Sequence, residues 1–175
     1  MPRPLGSVFI ATSLDGYIAR ADGGLDWLEV VNQPGEDYGF AAFSAGIDTM
    51  LIGRGTWDSC LAFPEWPYEG KRVVVLTHRD TAADHGELLR AGPVADVFDE
   101  LATMGAKRVY VDGGVVIRQC LAAGLVQDLT ISVIPVILGD GIRLFDSGLP
   151  ETALQLIESR SWPSGLVQVR YEVRG

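Results

Sequence analysis

The sequence has little that would hold it in a membrane or cross-link it. Its longest apolar run, Val133 to Leu138, is six residues, far below the ~20 that span a bilayer. The opening MPRPLGSVFIATSLDG lacks a secretory leader's apolar stretch and carries Asp15 where cleavage would be expected. Cysteine is limited to Cys60 and Cys120, both in apolar settings without ligand partners. They read as buried free thiols, which points to a cytoplasmic protein. Histidine is limited to His78 and His85; no His, Cys and Asp grouping has metal spacing, and no Ser/His/Asp set is evident. Neither a metal nor covalent catalysis is therefore expected. Positive charge is also short. Fourteen basic residues face 23 acidic ones, a net charge of −9, which argues against nucleic acid or an anionic membrane as the main partner.

Other features are plentiful. Twelve of the fourteen basic residues are arginine, so any phosphate clamp would be built from planar guanidinium groups. Glycine, 21 of 175 residues, is well above the usual ~7%, which predicts tight turns and close backbone approaches. Apolar strands are expected at Ser7–Thr12, Thr49–Ile52, Lys71–Thr77 and Arg108–Asp112, with a longer one from Leu129 to Ile137 interrupted by Pro135. Helices are expected from Asp37 to Ala45, from Thr56 (its N-cap) onward, from Val97 to Met104 and from Val115 to Ala123. The segment Asp84–Ala95 reads as loop, and Leu154–Ser159 with Leu166–Val173 reads as a closing antiparallel hairpin. Strand–helix alternation followed by a hairpin predicts one α/β domain over residues 1–175, with a mostly parallel sheet and an antiparallel edge.

In parallel α/β sheets the ligand crevice lies beyond the carboxyl ends of the strands. Three expected strands end in groups suited to a dinucleotide. The second ends in Gly53-Arg54-Gly55-Thr56, where backbone N–H groups at a helix start attract anions and Arg54 adds a full charge. The third ends in Thr77-His78-Arg79, and the fourth in Gly113-Gly114 with Val115 opening a helix. Taken singly, each also suits a plain turn or a solvated loop tip.

As a set, these sites and the opening ATSLDGYIA (Ala11–Ala19) resemble the dihydrofolate reductase superfamily, and more closely the riboflavin-biosynthesis reductases known as the RibD C-terminal domain. The similarity runs from Val8 to Phe145 and includes Pro135 and Leu138-Gly139-Asp140-Gly141. It implies a three-layer fold of the dihydrofolate reductase type, with helices on both sheet faces. It further implies NADPH as cofactor: Gly53 to Thr56 and Thr77 to Arg79 around the 2′-phosphate and pyrophosphate, and Ala11, Ile18 and Gly113 to Val115 near the nicotinamide. The Gly113–Gly114 peptide is expected to be cis, as in dihydrofolate reductases. Asp37 stands sixteen positions before Gly53, the spacing of the pterin-binding carboxylate in dihydrofolate reductases. It is a candidate acid of raised proton affinity and a substrate contact, or else simply a helix cap; Glu36 could fill the same role. Tyr17 and Asp112 replace the lysine and glutamate usual in the riboflavin reductases, and they are candidates for a substrate contact and a catalytic acid. Trp27, in a glycine-rich loop, is either a cover over the nicotinamide or a hydrophobic plug. No deaminase domain, often fused upstream in that pathway, precedes Ser7 in this sequence.

The implied activity is NADPH-dependent reduction of a pteridine- or pyrimidine-like small molecule. Dihydrofolate reductase proper and a non-catalytic NADPH-binding sensor are the alternatives. The resemblance also implies a homodimer, with the apolar stretch Leu129–Ile137 as a candidate interface.

Overall fold

Runs of consecutive apolar residues form strands buried on both faces, and the centre of the molecule is built from such runs. The computed structural model describes residues 1–175. Its first half contains β1 (Leu5–Ser13), β2 (Tyr17–Ala19), a 3-10 turn (Asp26–Val31), α1 (Phe40–Ala45), β3 (Thr49–Gly53), α2 (Arg54–Leu61) and β4 (Arg72–Leu76). There follow β5 (Leu88–Arg90), α3 (Val94–Thr103), β6 (Arg108–Asp112), α4 (Gly114–Ala122) and β7 (Val126–Ile134). The chain closes with β8 (Ile142–Arg143), β9 (Leu154–Ser161) and β10 (Val167–Val173).

Eight strands form one sheet in the order β5-β4-β3-β6-β1-β7-β10-β9. The six from β5 to β7 are parallel, and β10 enters antiparallel between β7 and β9. A separate antiparallel pair joins β2 and β8. Alternation sorts the core. Leu51, Val74, Val109 and Val111 pack under α3 and α4 with Phe98, Leu101 and Ile117. Met50, Ile52, Val73, Val75 and Tyr110 pack on the other face with Trp57 of α2 and Phe43 of α1. This is the expected layered α/β architecture.

Several boundaries differ from expectation. The stretch read as loop contains β5, and α3 starts at Val94, right after Pro93, a residue well suited to the edge of a helix. Helix α2 begins at Arg54 with Gly53 as its N-cap, so Thr56 lies inside the first turn and does not cap. Strand β7 ends at Ile134, just before Pro135, and it is hydrogen-bonded on both sides, to β1 and to β10. It therefore cannot offer a pairing edge to a second chain. The sheet's two unpaired edges belong to β5 and β9, and all eight residues of β9 are exposed.

One register detail positions the site. β1 and β6 pair only from Leu5–Ser7 to Arg108–Tyr110. Above that point β1 continues to Ser13 alongside β7 and β6 continues to Asp112 alongside β3. The Phe9 carbonyl, left free of the ladder on this side, accepts the Tyr110 hydroxyl at 2.7 Å.

Candidate active site

Strands β4, β3, β6 and β1 are neighbours running in one direction, so Thr77–Arg79, Gly53–Thr56, Gly113–Val115 and Ala11 share one edge of the sheet. At ~4.8 Å per strand this edge spans roughly 15 Å. The helices after β1 and β3 cover one face, whereas α4, after β6, covers the other. The end of β6 is thus a topological switch point, where α/β sheets place ligands.

The β3 and β6 ends meet closely. A Cβ built on Gly113 would lie 3.0 Å from Thr56 Oγ1, and one on Gly114 would lie 3.1 Å from Ile18 Cδ1. Gly55 faces open space, and Val115 is 60% exposed in the first turn of α4. No peptide bond is cis, so Gly113–Gly114 is trans, against expectation. The sharp entry into α4 comes instead from Gly113 at φ 100°, a conformation natural to glycine.

Arg54 gives the edge its clearest unsatisfied group. Its Nε donates to Asp58 Oδ1 at 2.9 Å, and its guanidinium lies 5.4 Å from the Trp57 ring centroid. Its Nη1 is buried with no hydrogen-bond partner. A buried guanidinium nitrogen without an acceptor is costly; the side chain as a whole is 31% exposed, so a turn of the guanidinium would let it meet an anion at the strand end. Thr77 Oγ1 accepts the Arg79 N–H at 3.1 Å and shapes the β4 turn, leaving His78 and Arg79 exposed. The residues present therefore fit a phosphorylated dinucleotide along this edge.

Beside the edge, on the α1 face, lies a cleft of about 380 Å³. Its floor comes from Phe9 and Ala11 of β1 with Ser132 and Ile134 of β7. Leu28 and Val31 of the 3-10 turn form one wall, and Phe40 with Tyr110 another. Trp27 is only 3% exposed, donates its indole N–H to the Gly24 carbonyl at 3.2 Å and packs against Ile134 and Leu166 below the floor. It is the plug of the two alternatives. Tyr17, expected at the substrate, is 8% exposed and lies outside the cleft walls. Arg143 covers its ring at 4.9 Å and donates to its hydroxyl at 3.2 Å.

The two candidate acids behave in opposite ways. Asp37 borders the cleft, but its carboxylate accepts the N–H groups of Ala41 and Gly39, each at 2.9 Å. These bonds hold its pKa below the ordinary carboxylate value, the Ala41 bond contributing most. The expected raised proton affinity is thus overturned: the Asp37 carboxylate braces the first turn of α1, whose N-cap position is Gly39. Glu36 is likewise engaged, accepting the Tyr38 N–H at 2.8 Å. Asp112 goes the other way. Burial pushes its pKa up to about 6, only partly offset by the Gly113 N–H at 2.9 Å. Some of its surface remains accessible, yet it is not a wall of the cleft.

Residues 4–168 match the family described as the RibD C-terminal domain. The chain belongs to that family. Among curated relatives, YwjB of Bacillus subtilis (strain 168), a protein without an assigned function, is 30% identical over 94% of this chain and 95% of its own length. The riboflavin biosynthesis protein RibD of Corynebacterium ammoniagenes is also 30% identical, over 86% of this chain but 48% of its own length. Among solved structures, a Shewanella sp. PV-4 protein provisionally assigned to riboflavin biosynthesis superposes with TM-score 0.90 at 36% identity, covering 98% of this chain and 99% of that one. Dihydrofolate reductase from Enterococcus faecalis, crystallised with NADP(H), shares the fold with TM-score 0.66 at 16% identity, over 98% of this chain and 97% of that one. These relatives set the chain in the RibD C-terminal domain family, on a fold shared with dihydrofolate reductase.

Two parts of this RibD C-terminal domain were not assigned roles from sequence. Tyr110 sits inside RVYVD, where a strand tyrosine reads as core, and nothing local marks it as a cleft wall. Asp15 carries a signal that could have been used, since an Asp-Gly turn follows a buried strand. Its carboxylate accepts Ser13 Oγ at 2.6 Å and the N–H groups of Leu138 and Gly139 at 3.1 and 2.7 Å. The serine bond above all draws its pKa down to about 2. It ties the end of β1 to the segment after Pro135.

Proposed function

We propose that this protein is an NADPH-dependent reductase of a small flat heterocycle of the pyrimidine or pteridine kind, working in the cytoplasm. The observation that carries this reading is the unpartnered Arg54 Nη1 at a shared strand edge with Gly113 and Thr56. It offers a charge-assisted contact for the 2′-phosphate that distinguishes NADPH from NADH. Backbone N–H groups at the starts of α2 and α4 add an anion-attracting field. The reduced nicotinamide, when bound, supplies a hydride; the chain's own part is to align the acceptor in the apolar cleft and keep water out. Asp112 is the carboxyl most able to hold a proton near neutral pH, and Asp37 serves to fix α1 at the cleft mouth.

Fluorescence titration of the four tryptophans with NADPH tests the cofactor assignment. Quenching that saturates at micromolar NADPH and needs far more NADH is the expected result. No saturable change up to millimolar concentrations would overturn the reading.

We further propose a homodimer joined through the β9–β10 surface. The edge of β9 is unpaired, and Leu154, Leu156, Ile157 and Val167 are all exposed there, an arrangement that soluble proteins cover or blunt. A second copy, carrying the same strand, matches it symmetrically.

A further inference from the structure

The charge and ring content of the cleft bear on what enters it, and the inference below rests on the reading that this cleft is the reductase's substrate site. Glu29, Glu36 and Asp37 stand around its mouth, and none of them is paired with a basic side chain. Uncharged donors orient all three. Asn32 Nδ2 reaches Glu29 Oε2 at 3.1 Å, the Tyr38 N–H reaches Glu36, and the Gly39 and Ala41 N–H groups reach Asp37. Inside, the walls carry the rings of Phe9, Tyr38, Phe40 and Tyr110. Phe9 and Phe40 meet edge to face at 5.5 Å, and Phe40 remains 41% exposed, so ring surface is left free at the mouth. No Lys, Arg or His lines the cleft. Arg160 lies over the Trp162 ring at 4.8 Å from its centroid, and that ring meets Tyr38 edge to face.

Ring faces and unpaired carboxylates both attract a cation, and the carboxylates repel a phosphate. The supply of protons points the same way. Of the three carboxylates at the cleft mouth, Asp37 is kept ionised by two backbone bonds, and the carboxyl that protonates more readily, Asp112, is not a wall of the cleft.

We infer that the substrate is an unphosphorylated flat heterocycle that arrives as a cation, with a C=N⁺ bond as its hydride acceptor. Such a substrate takes one hydride at carbon. Its C=N double bond becomes single, the electron pair neutralises nitrogen, and the positive charge passes to the oxidised nicotinamide. Atoms and charge balance with no proton drawn from the protein. A phosphorylated ribosylamino-pyrimidine, the substrate class that a riboflavin pathway would supply, is disfavoured by the same three carboxylates.

The test is calorimetric binding of three probes to the full chain, with and without saturating NADPH. The probes are N-methyl-3,4-dihydroisoquinolinium, neutral isoquinoline at neutral pH, and 5-amino-6-(5-phosphoribosylamino)uracil. The cation is expected to bind about tenfold tighter than isoquinoline, to lose part of that preference as salt rises, and to oxidise NADPH. The phosphorylated pyrimidine is expected to bind weakest. In the double variant E29Q/E36Q the preference for the cation shrinks, while isoquinoline and NADPH bind as before. A cation that binds no better than isoquinoline, tightest binding by the phosphorylated pyrimidine, or a bound cation that leaves NADPH unoxidised overturns the inference. Failure of NADPH to bind while the preference persists instead overturns the cofactor reading alone.

Discussion

Thr56 and Gly113, 57 positions apart in sequence, are packed so closely that a methyl group on Gly113 would stand 3.0 Å from the Thr56 hydroxyl oxygen. That contact joins the ends of β3 and β6, and Gly113 enters it at φ 100°. A side chain there would meet both steric crowding and backbone strain. Gly113→Ala is expected to destabilise the protein by about 1–3 kcal/mol and to weaken NADPH binding in the folded fraction. Urea unfolding and the fluorescence titration, run on the same preparation, read the two effects separately.

Arg54→Ala removes the cation whose Nη1 lacks a partner. A lost charge-assisted hydrogen bond is worth about 1.5–3 kcal/mol, so the Kd for NADPH should rise roughly 10- to 100-fold. The Kd for NADH should change much less, because NADH has no 2′-phosphate. Equal losses for the two cofactors would remove Arg54 from the clamp.

Asp112 has a proton affinity higher in the fold than in the open chain, with a pKa of about 6 against 3.8. Between those values the folded protein binds more protons than the unfolded one, so stability falls as pH rises through the window. Above it, the buried carboxylate carries a constant cost. Asp112→Asn can still accept the Gly113 N–H and removes that cost. The variant should be more stable than the parent at neutral pH by roughly 1–3 kcal/mol, with the difference vanishing below the lower pKa. Denaturant midpoints across an acid-to-neutral pH series measure this, and a pH-independent difference would contradict it.

Leu156 is 54% exposed and lies on β9 opposite Tyr171 of β10. Placing a lysine at an exposed sheet edge opposes edge pairing. Leu156→Lys should convert the proposed dimer to monomer in light scattering after gel filtration, with little change in the unfolding midpoint of the monomer. A parent chain that is already monomeric at working concentrations would remove the proposed interface.

The sheet was legible because its strands are unambiguous. MLI in β3 and VVV in β4 are buried at every position, as uninterrupted apolar runs in an α/β chain should be. The strand-end motifs were legible as types of chemistry, and the topology then set them side by side. What escaped was the state of individual side chains. Asp37 has the right spacing for a substrate acid, yet the turn it occupies directs two N–H groups at its carboxylate. Spacing cannot report such local competition between capping and catalysis. Tyr17 stands where the riboflavin reductases usually carry a lysine, which points to the substrate, but Arg143, 126 positions away, covers it. A strand buried within a sheet and one buried between chains are equally apolar in sequence; the pairing order adds that both edges of β7 are taken up within the sheet.

The short overlap between β1 and β6 has a mechanical consequence. Only three residue pairs zip β5-β4-β3-β6 to β1-β7-β10-β9 at that seam, and above them the two flanks diverge beside the edge proposed for the cofactor. A molecule lodged across the divergence touches both flanks and acts as a rivet between them. Its association energy then adds to the work of prying the halves apart, about 2.7 kcal/mol at a hundredfold excess over Kd. Amides flanking the seam should exchange with deuterium more slowly once the rivet is in place, while those of the outlying β9 keep their original rate.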